Sequence, residues 1–293
     1  MITRRNYRPL CDFAAVRQFM VEIYERDWRN GVPAPFLEYA LCCSWMDKSL
    51  THRFSLWEED GRIVALVFYE NPASDVYFSL RPGYERLVGE MMDYAEADMP
   101  KADGAQRFVL FGGQKALVEA AERRGYARTG GYNELVYDFS KPLDYPLPQG
   151  FSFVPPDKLN YAKISECCYR GFDNEQTDGP WDGDYEDVVR ISLAPNSTLP
   201  LCAVVQNERG EYTCVAGMWW TPENRLAYME PLCTVPEYRR RGLAAAALSE
   251  LYRRMKPLGA THMTGGGDPF YAKIGFEPCI EWGYYERAKP DGK

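Results

Sequence analysis

The sequence predicts an α/β chain made of two tandem copies of one strand-and-helix plan. Three observations carry that prediction. The stretch Arg225 to Ala247, RLAYMEPLCTVPEYRRRGLAAAA, reads as an apolar, β-branched and aromatic strand, a basic turn containing a glycine, and the start of an alanine-rich helix. The same order recurs in the first half: Pro82-Gly83-Tyr84-Glu85 aligns with Pro236-Glu237-Tyr238-Arg239 at an offset of 154, and Gly125-Tyr126 with Gly275-Phe276 at an offset of 150. Between the halves lies a proline-rich segment, Lys141 to Pro148, so the copies are expected over residues 1–142 and 149–293.

In the first copy, Phe13, Val16, Phe19, Met20 and Ile23 fall at helical spacing within Asp12 to Asp27, as in a helix with one face in a core. A second helix is expected over Phe36 to Met46, then strands at Arg53 to Trp57 and Ile63 to Glu70 around the turn Glu59-Asp60-Gly61. Val76 to Leu80 reads as a strand leading through Pro82-Gly83 to a helix ending near Ala97. Phe108 to Phe111 is a strand, Gln114 to Arg124 a helix closed by Gly125, and Glu134 to Phe139 a strand. The second copy repeats the plan: helices Asp157 to Phe172 and Tyr185 to Leu193, strands Leu201 to Gln206 and Thr213 to Thr221, then the Arg225 strand and its helix to about Lys256. A short strand around His262, a short helix bearing Tyr271 and a closing strand from Trp282 to Arg287 complete it.

Composition narrows the function. The 293 residues are 46% hydrophobic and 26% charged, which suits a globular protein with ample core. No apolar run approaches the roughly 18 residues of a membrane span, and MITRRNYRPL lacks a signal-peptide apolar region. A cytoplasmic protein with no membrane partner is expected. The net charge of −8 argues against nucleic acid as a partner and favours a cationic acceptor. Nine cysteines without a CxxC pair, and only two histidines, predict reduced, mostly buried thiols and no metal.

The chemistry is expected at the Arg225 stretch. A helix N-terminus leaves about four amides without intrahelical partners and carries partial positive charge, so an exposed one binds anions. Arg239, Arg240 and Arg241 add full charges, Gly242 lets a phosphate approach the backbone, and Leu243 and the small Ala244 open the helix. The spacing Arg239-x-x-Gly242-x-Ala244 resembles the pyrophosphate signature R/Q-x-x-G-x-G/A of the GNAT acetyltransferases. Phe270-Tyr271-Ala272-Lys273-Ile274-Gly275-Phe276 is similar to that family's second marker, a tyrosine on a short helix closed by Gly-Phe.

The resemblance implies two GNAT-like domains, each a mixed, mostly antiparallel sheet flanked by helices, with acetyl-CoA as co-substrate. It implies that the sheet splits near Pro231, that the pantetheine arm enters the gap, and that backbone groups of Cys233, Thr234 and Val235 hold it. Tyr271 is then the general acid that protonates the leaving thiolate, since a phenol's ordinary pKa of about 10 is close to that of a thiol at about 8.5. Glu230 is the candidate base, acting directly or through water; an ordinary strand carboxylate paired with an arginine is the competing reading. Thr264-Gly265-Gly266-Gly267-Asp268 departs from the family's usual Asn-x-x-Ala lead into the tyrosine helix. In the first copy Glu85, Val88, Glu90 and Ala121 stand where Arg239, Gly242, Ala244 and Tyr271 stand in the second, so that copy is expected not to bind coenzyme A.

The acceptor is expected at the acidic stretch Asp173 to Asp187, which carries seven carboxylates and no basic residue, with Trp181, Asp182, Asp184 and Tyr185 as its binding candidates. A solvated acidic loop is the alternative. The leading expectation is an N-acetyltransferase acting by direct attack of a primary amine, on a small molecule or a basic peptide, as monomer or homodimer. The alternatives are a non-catalytic acyl-CoA-binding or sensor protein, and an interaction protein whose acidic loop holds a basic partner.

Overall fold

The computed structural model describes residues 1–287. The chain forms two compact units: Met1–Glu134 with the C-terminal segment from Pro278, and Leu135–Glu277. In chain order the elements are β1 (Ile2–Asn6), α1 (Phe13–Ile23), α2 (Ala34–Cys42), β2 (Ser55–Glu59), β3 (Arg62–Tyr69), β4 (Asp75–Leu80), α3 (Val88–Asp98), β5 (Arg107–Phe111), α4 (Lys115–Arg123) and β6 (Tyr126–Asp138). Then come β7 (Phe151–Phe153), α5 (Tyr161–Gly171), α6 (Asn174–Thr177), α7 (Glu186–Leu193), β8 (Ala203–Asn207), β9 (Tyr212–Ala216), β10 (Trp219–Thr221), β11 (Leu226–Tyr228) and β12 (Leu232–Thr234). The chain continues through α8 (Leu243–Met255), β13 (His262–Thr264) and α9 (Pro269–Lys273) to β14 (Glu277–Arg287).

In the first unit β1 through β4 form an antiparallel run, β5 joins β4 in parallel, and β14 closes antiparallel on β5 with Trp282 opposite Phe111. The expected segments 1–142 and 149–293 therefore do not coincide with the compact units. The last strand of the chain completes the first unit, and the end of β6 pairs with β13, Val136 opposite Thr264, in the second. Ladder pairing assigns strands to a unit here, and the proline-rich segment marks no boundary.

The second unit holds two sets of strands. The antiparallel sheet β12-β9-β8-β7 is one; β10 and β11 pair antiparallel, β11 and β13 parallel in the other. Helix α8 buries Leu243, Ala247, Leu248, Leu251 and Met255 in the core of this unit. Positions 243, 247, 251 and 255 recur every four residues with 248 beside them, which puts them on one face and anchors the helix along its length.

Two strands that read as continuous in sequence are broken. Thr213 to Thr221 divides into β9 and β10 at Gly217, and the Arg225 stretch divides into β11 and β12 at Glu230-Pro231. The breaks lie against each other: the Gly217 amide donates to the Pro231 carbonyl at 2.6 Å, and a Cβ on Gly217 would lie 2.1 Å from the Glu230 carbonyl oxygen. Glycine is required by this approach, and a proline that offers no ladder donor permits the strand to leave its sheet. β1 and β7, each short and partly exposed, have no counterpart in the expected element order.

Candidate active site

Downstream of β12 a 3₁₀ turn over Pro236–Tyr238 leads to Arg239 in an extended conformation, Arg240 at φ 60° and Gly242 at φ 84°. Left-handed residues alternating with others turn successive amides to one side, the geometry of an anion-binding nest. Helix α8 then begins at Leu243. Its first intrahelical bond runs from the Ala246 amide to the Gly242 carbonyl at 3.0 Å, and no side chain caps it. The amides of Leu243, Ala244 and Ala245 thus have no acceptor within the helix, and Gly242 beside them is exposed.

The three arginines are not equivalent. Arg239 donates to the Thr234 carbonyl at 3.1 Å, the Gly171 carbonyl at 2.9 Å and the Asp173 carboxylate at 2.8 Å. Its guanidinium fixes the turn to β12 and to the end of α5, and this commitment was not expected from sequence. Arg241 lies over the Tyr238 ring at 5.2 Å. Among the described residues Arg240 has neither an ion pair nor a ring partner, and it projects full charge at the turn.

The equivalent turn of the first unit lacks this geometry. There a 3₁₀ turn over Glu85–Leu87 runs straight into α3, with Leu87 and Val88 both right-handed, and Val88 is buried. The cleft that would follow is closed as well. β4 and β5 pair only from Asp75 to Tyr77, and where they part the buried Gln114 side chain bridges them, donating to the Phe78 carbonyl at 2.8 Å and accepting from the Phe111 amide at 3.1 Å. The Leu80 amide further along β4 donates to the Asn30 carbonyl at 2.8 Å.

In the second unit the corresponding tie is a single hydroxyl: Thr264 Oγ1 accepts from the Met229 amide at 2.9 Å, beyond which β11 gives way to β12 and the ladder to β13 ends. Among the described residues β12 then pairs only with β9. The Val235 amide donates to the Thr213 carbonyl at 3.0 Å, so it is not available to a ligand. Ladder alternation turns Cys233 toward β9 in the same way and sends the amides of Leu232 and Thr234 to the opposite, unpaired edge. The expected backbone set Cys233 to Val235 narrows to Thr234, joined by Leu232.

Glu230 sits at the break. It is half-buried, makes no ion pair among the described residues, and burial pushes its carboxyl up to about 7. The competing reading, a carboxylate paired with an arginine, finds no such partner among the described residues. Tyr271 lies in α9, whose start is capped by Asp268 accepting from the Phe270 amide at 2.7 Å. Its ring rests on Gly265 and Gly266, where added Cβ atoms would each lie 2.9 Å from it, and 5.2 Å from the Phe276 ring. The glycine-rich departure Thr264 to Gly267 thereby gains a physical reason: it makes room for the Tyr271 ring.

The acidic stretch is largely occupied by its own structure. Asp173 and Glu175 pair with Arg239 and Arg170, and Glu186 and Asp187 with Arg190. Asp182 accepts from the Asp184 amide at 2.9 Å, Asp184 from the Glu186 amide at 2.8 Å, and the Trp181 indole donates to the Asp184 carbonyl at 3.0 Å. Tyr185 is exposed and lines an open cavity of about 470 Å³ with Asn160, Tyr161, Leu199 and Pro200; neither Glu230, Gly242 nor Tyr271 lines that cavity. The sequence reading missed Gly171, Gly217 and Thr264. Only the isolated glycine inside a strand pattern at Gly217 carried a signal.

Residues 162–276 match the model of the acetyltransferase (GNAT) family. No curated protein matches the chain. Among solved structures, a GCN5-related N-acetyltransferase from Sphaerobacter thermophilus is 16% identical over 99% of this chain and 98% of its own, with a TM-score of 0.58. A tandem GNAT protein from the clavulanic acid biosynthesis pathway is 13% identical over the whole of both chains at 0.58, and a GNAT-family acetyltransferase from Colwellia psychrerythraea is 9% identical over 98% and 100% at 0.62. The span matched to the GNAT family model takes in the β11–β12 strands, the basic turn and the tyrosine helix, and the solved structures, a tandem GNAT protein among them, share the fold of the chain along its length.

Proposed function

We propose that the second unit is an acetyl-CoA-dependent N-acetyltransferase and that the first is a degenerate copy that does not bind coenzyme A. The observation that carries this reading is the exposed, left-handed Gly242 at the uncapped start of α8, beside a strand whose outer edge is unpaired. The co-substrate would supply a thioester activated for attack by an amine. The amides of the 239–244 turn and of α8's first turn suit its diphosphate, with Arg240 adding charge. The edge amides of Leu232 and Thr234 suit a polar arm and the acyl carbonyl.

Glu230, raised to about 7, is matched to taking a proton from an incoming ammonium near neutral pH. Its acidity then lies where both protonation states are populated. Tyr271 is the proton donor to the departing sulfur. A cationic acceptor, a polyamine, aminoglycoside or basic peptide, fits the acidic stretch from Asp173 to Asp187, where Asp178, Asp182 and Asp184 form no ion pair among the described residues.

The test is thiol release from acetyl-CoA by the full-length protein against a panel of polyamines, aminoglycosides, amino acids and basic peptides. Amine-dependent release that Tyr271→Phe lowers while acetyl-CoA binding persists is the expected result. Binding of acetyl-CoA with no release for any amine would instead identify an acyl-CoA-binding protein.

A further inference from the structure

Three thiols meet beneath β12. Cys233 Sγ lies 3.8 Å from Cys168 Sγ on α5, and Cys167 is its sequence neighbour on the same helix turn. Gly171 lets the two elements close: a Cβ there would fall 2.8 Å from Cys233 Cβ. Cys233 Sγ also lies 3.6 Å from the Cys167 carbonyl oxygen, and its contacts with Cys167 and Cys168 hold the Cys233 thiol well below the usual thiol range despite its burial, while theirs are pushed up. The cluster therefore pairs a nucleophilic sulfur with a resolving one at contact distance. Cys168 is partly buried and Cys233 buried.

The same helix end is wired to the phosphate turn. Arg239 ties the Gly171 carbonyl to the Thr234 carbonyl, and β12 carries the Leu232 and Thr234 edge amides. A covalent link between α5 and β12 would act on both parts of the co-substrate site.

We infer that Cys168 and Cys233 form a redox-controlled pair, oxidised by hydrogen peroxide, whose disulfide switches off the acetyl-CoA site of the second unit; the switching half rests on the reading proposed above. The Cys233 thiolate attacks peroxide, its sulfur gaining oxygen as the O–O bond breaks and hydroxide leaves. The Cys168 thiol then attacks that sulfenic sulfur and expels water, so two thiols and one peroxide become one disulfide and two waters. The sulfurs must close by about 1.7 Å to reach bonding distance. A shift of that size at β12 displaces the groups that align the thioester, and displacements near 1 Å cost about a hundredfold in rate.

The experiment treats the full-length protein with stoichiometric hydrogen peroxide and reads intact mass, the cross-linked peptide, and thiol release with the best amine of the panel. The expected result is a loss of two hydrogens located to Cys168 and Cys233, and turnover down about a hundredfold and restored by dithiothreitol. Cys168→Ser is expected to keep basal turnover and to lose both the cross-link and the peroxide sensitivity. Oxygen addition at the exposed Cys11 with no cross-link, sensitivity that survives Cys168→Ser, or a cross-link that leaves turnover unchanged would each overturn the inference. The cross-link is read by mass alone, so a protein that cross-links but never turns over acetyl-CoA sinks the proposed function and the switch with it, leaving the redox pair standing.

Discussion

Gly242 allows the phosphate assignment to be tested by charge separately from shape. Its φ of 84° is left-handed, and the nearest atom a Cβ would meet is Pro148 Cγ at 3.9 Å. A substitution there is conformationally strained but not crowded. The left-handed backbone costs an alanine about 1–2 kcal/mol of stability, and glutamate shares that cost. The two variants differ in the carboxylate. At about 4 Å from a phosphate it repels by about 1 kcal/mol in bulk water and about 4 kcal/mol at the dielectric of a protein surface, which is roughly fivefold to a thousandfold in Kd.

For the unmodified protein, acetyl-CoA at about 100 times its Kd stabilises by about 2.7 kcal/mol, which raises Tm by about 5–10 °C. Differential scanning fluorimetry with acetyl-CoA, and calorimetric titration of both variants, provide the assay. Gly242→Ala is expected to melt lower but to keep most of the ligand-induced shift; Gly242→Glu is expected to melt as low and to lose it. Equal acetyl-CoA affinity in the two variants would refute the reasoning, because charge at the nest would then be irrelevant.

Two further outcomes follow. Glu230 has a folded pKa near 7, above its unfolded value, so it favours folding when protonated and that contribution is lost as pH rises from about 4.5 to about 7. Glu230→Gln should therefore gain stability relative to the parent across that window and hold the gain above it, while kcat/KM loses the rising limb centred near 7. Chemical denaturation and the rate profile, each measured from pH 4 to 9, check the two signs. In the first unit, Gln114→Leu strands the Phe78 carbonyl and the Phe111 amide, at about 1–3 kcal/mol each. Its expected signature is a lower denaturation midpoint with acetyl-CoA stoichiometry still one per chain by calorimetry; a second equivalent bound in either protein would contradict the closed cleft.

Legibility in the sequence followed the range of the signal. Helix α1 announced itself because apolar residues recur every three or four positions, and α8 through its run of alanines, both signals that act over a few residues. The basic turn before α8 was legible for the same reason, since Arg239, Gly242 and Ala244 lie within six residues of one another. What the local pattern cannot carry is partnership. Nothing in Gly217 names Glu230 as the backbone it must admit, nothing in Asp173 names Arg239, and nothing in β14 says that its ladder lies on β5, some 170 residues earlier in the chain.

The first unit makes the same point from the opposite side. The different turn of this unit could be read from Glu85 and Val88, because those residues stand in the turn itself. The closure of its cleft could not. Gln114 precedes α4 as Asp268 precedes α9; Gln114 follows two glycines and Asp268 three. Asp268 turns outward and caps its helix; Gln114, one methylene longer, reaches back between two parting strands and satisfies both. A strand pair that opens must leave backbone groups for a ligand or give them a partner of its own. The Gln114 amide is that partner, so the backbone groups exposed where β4 and β5 part are satisfied within the unit itself.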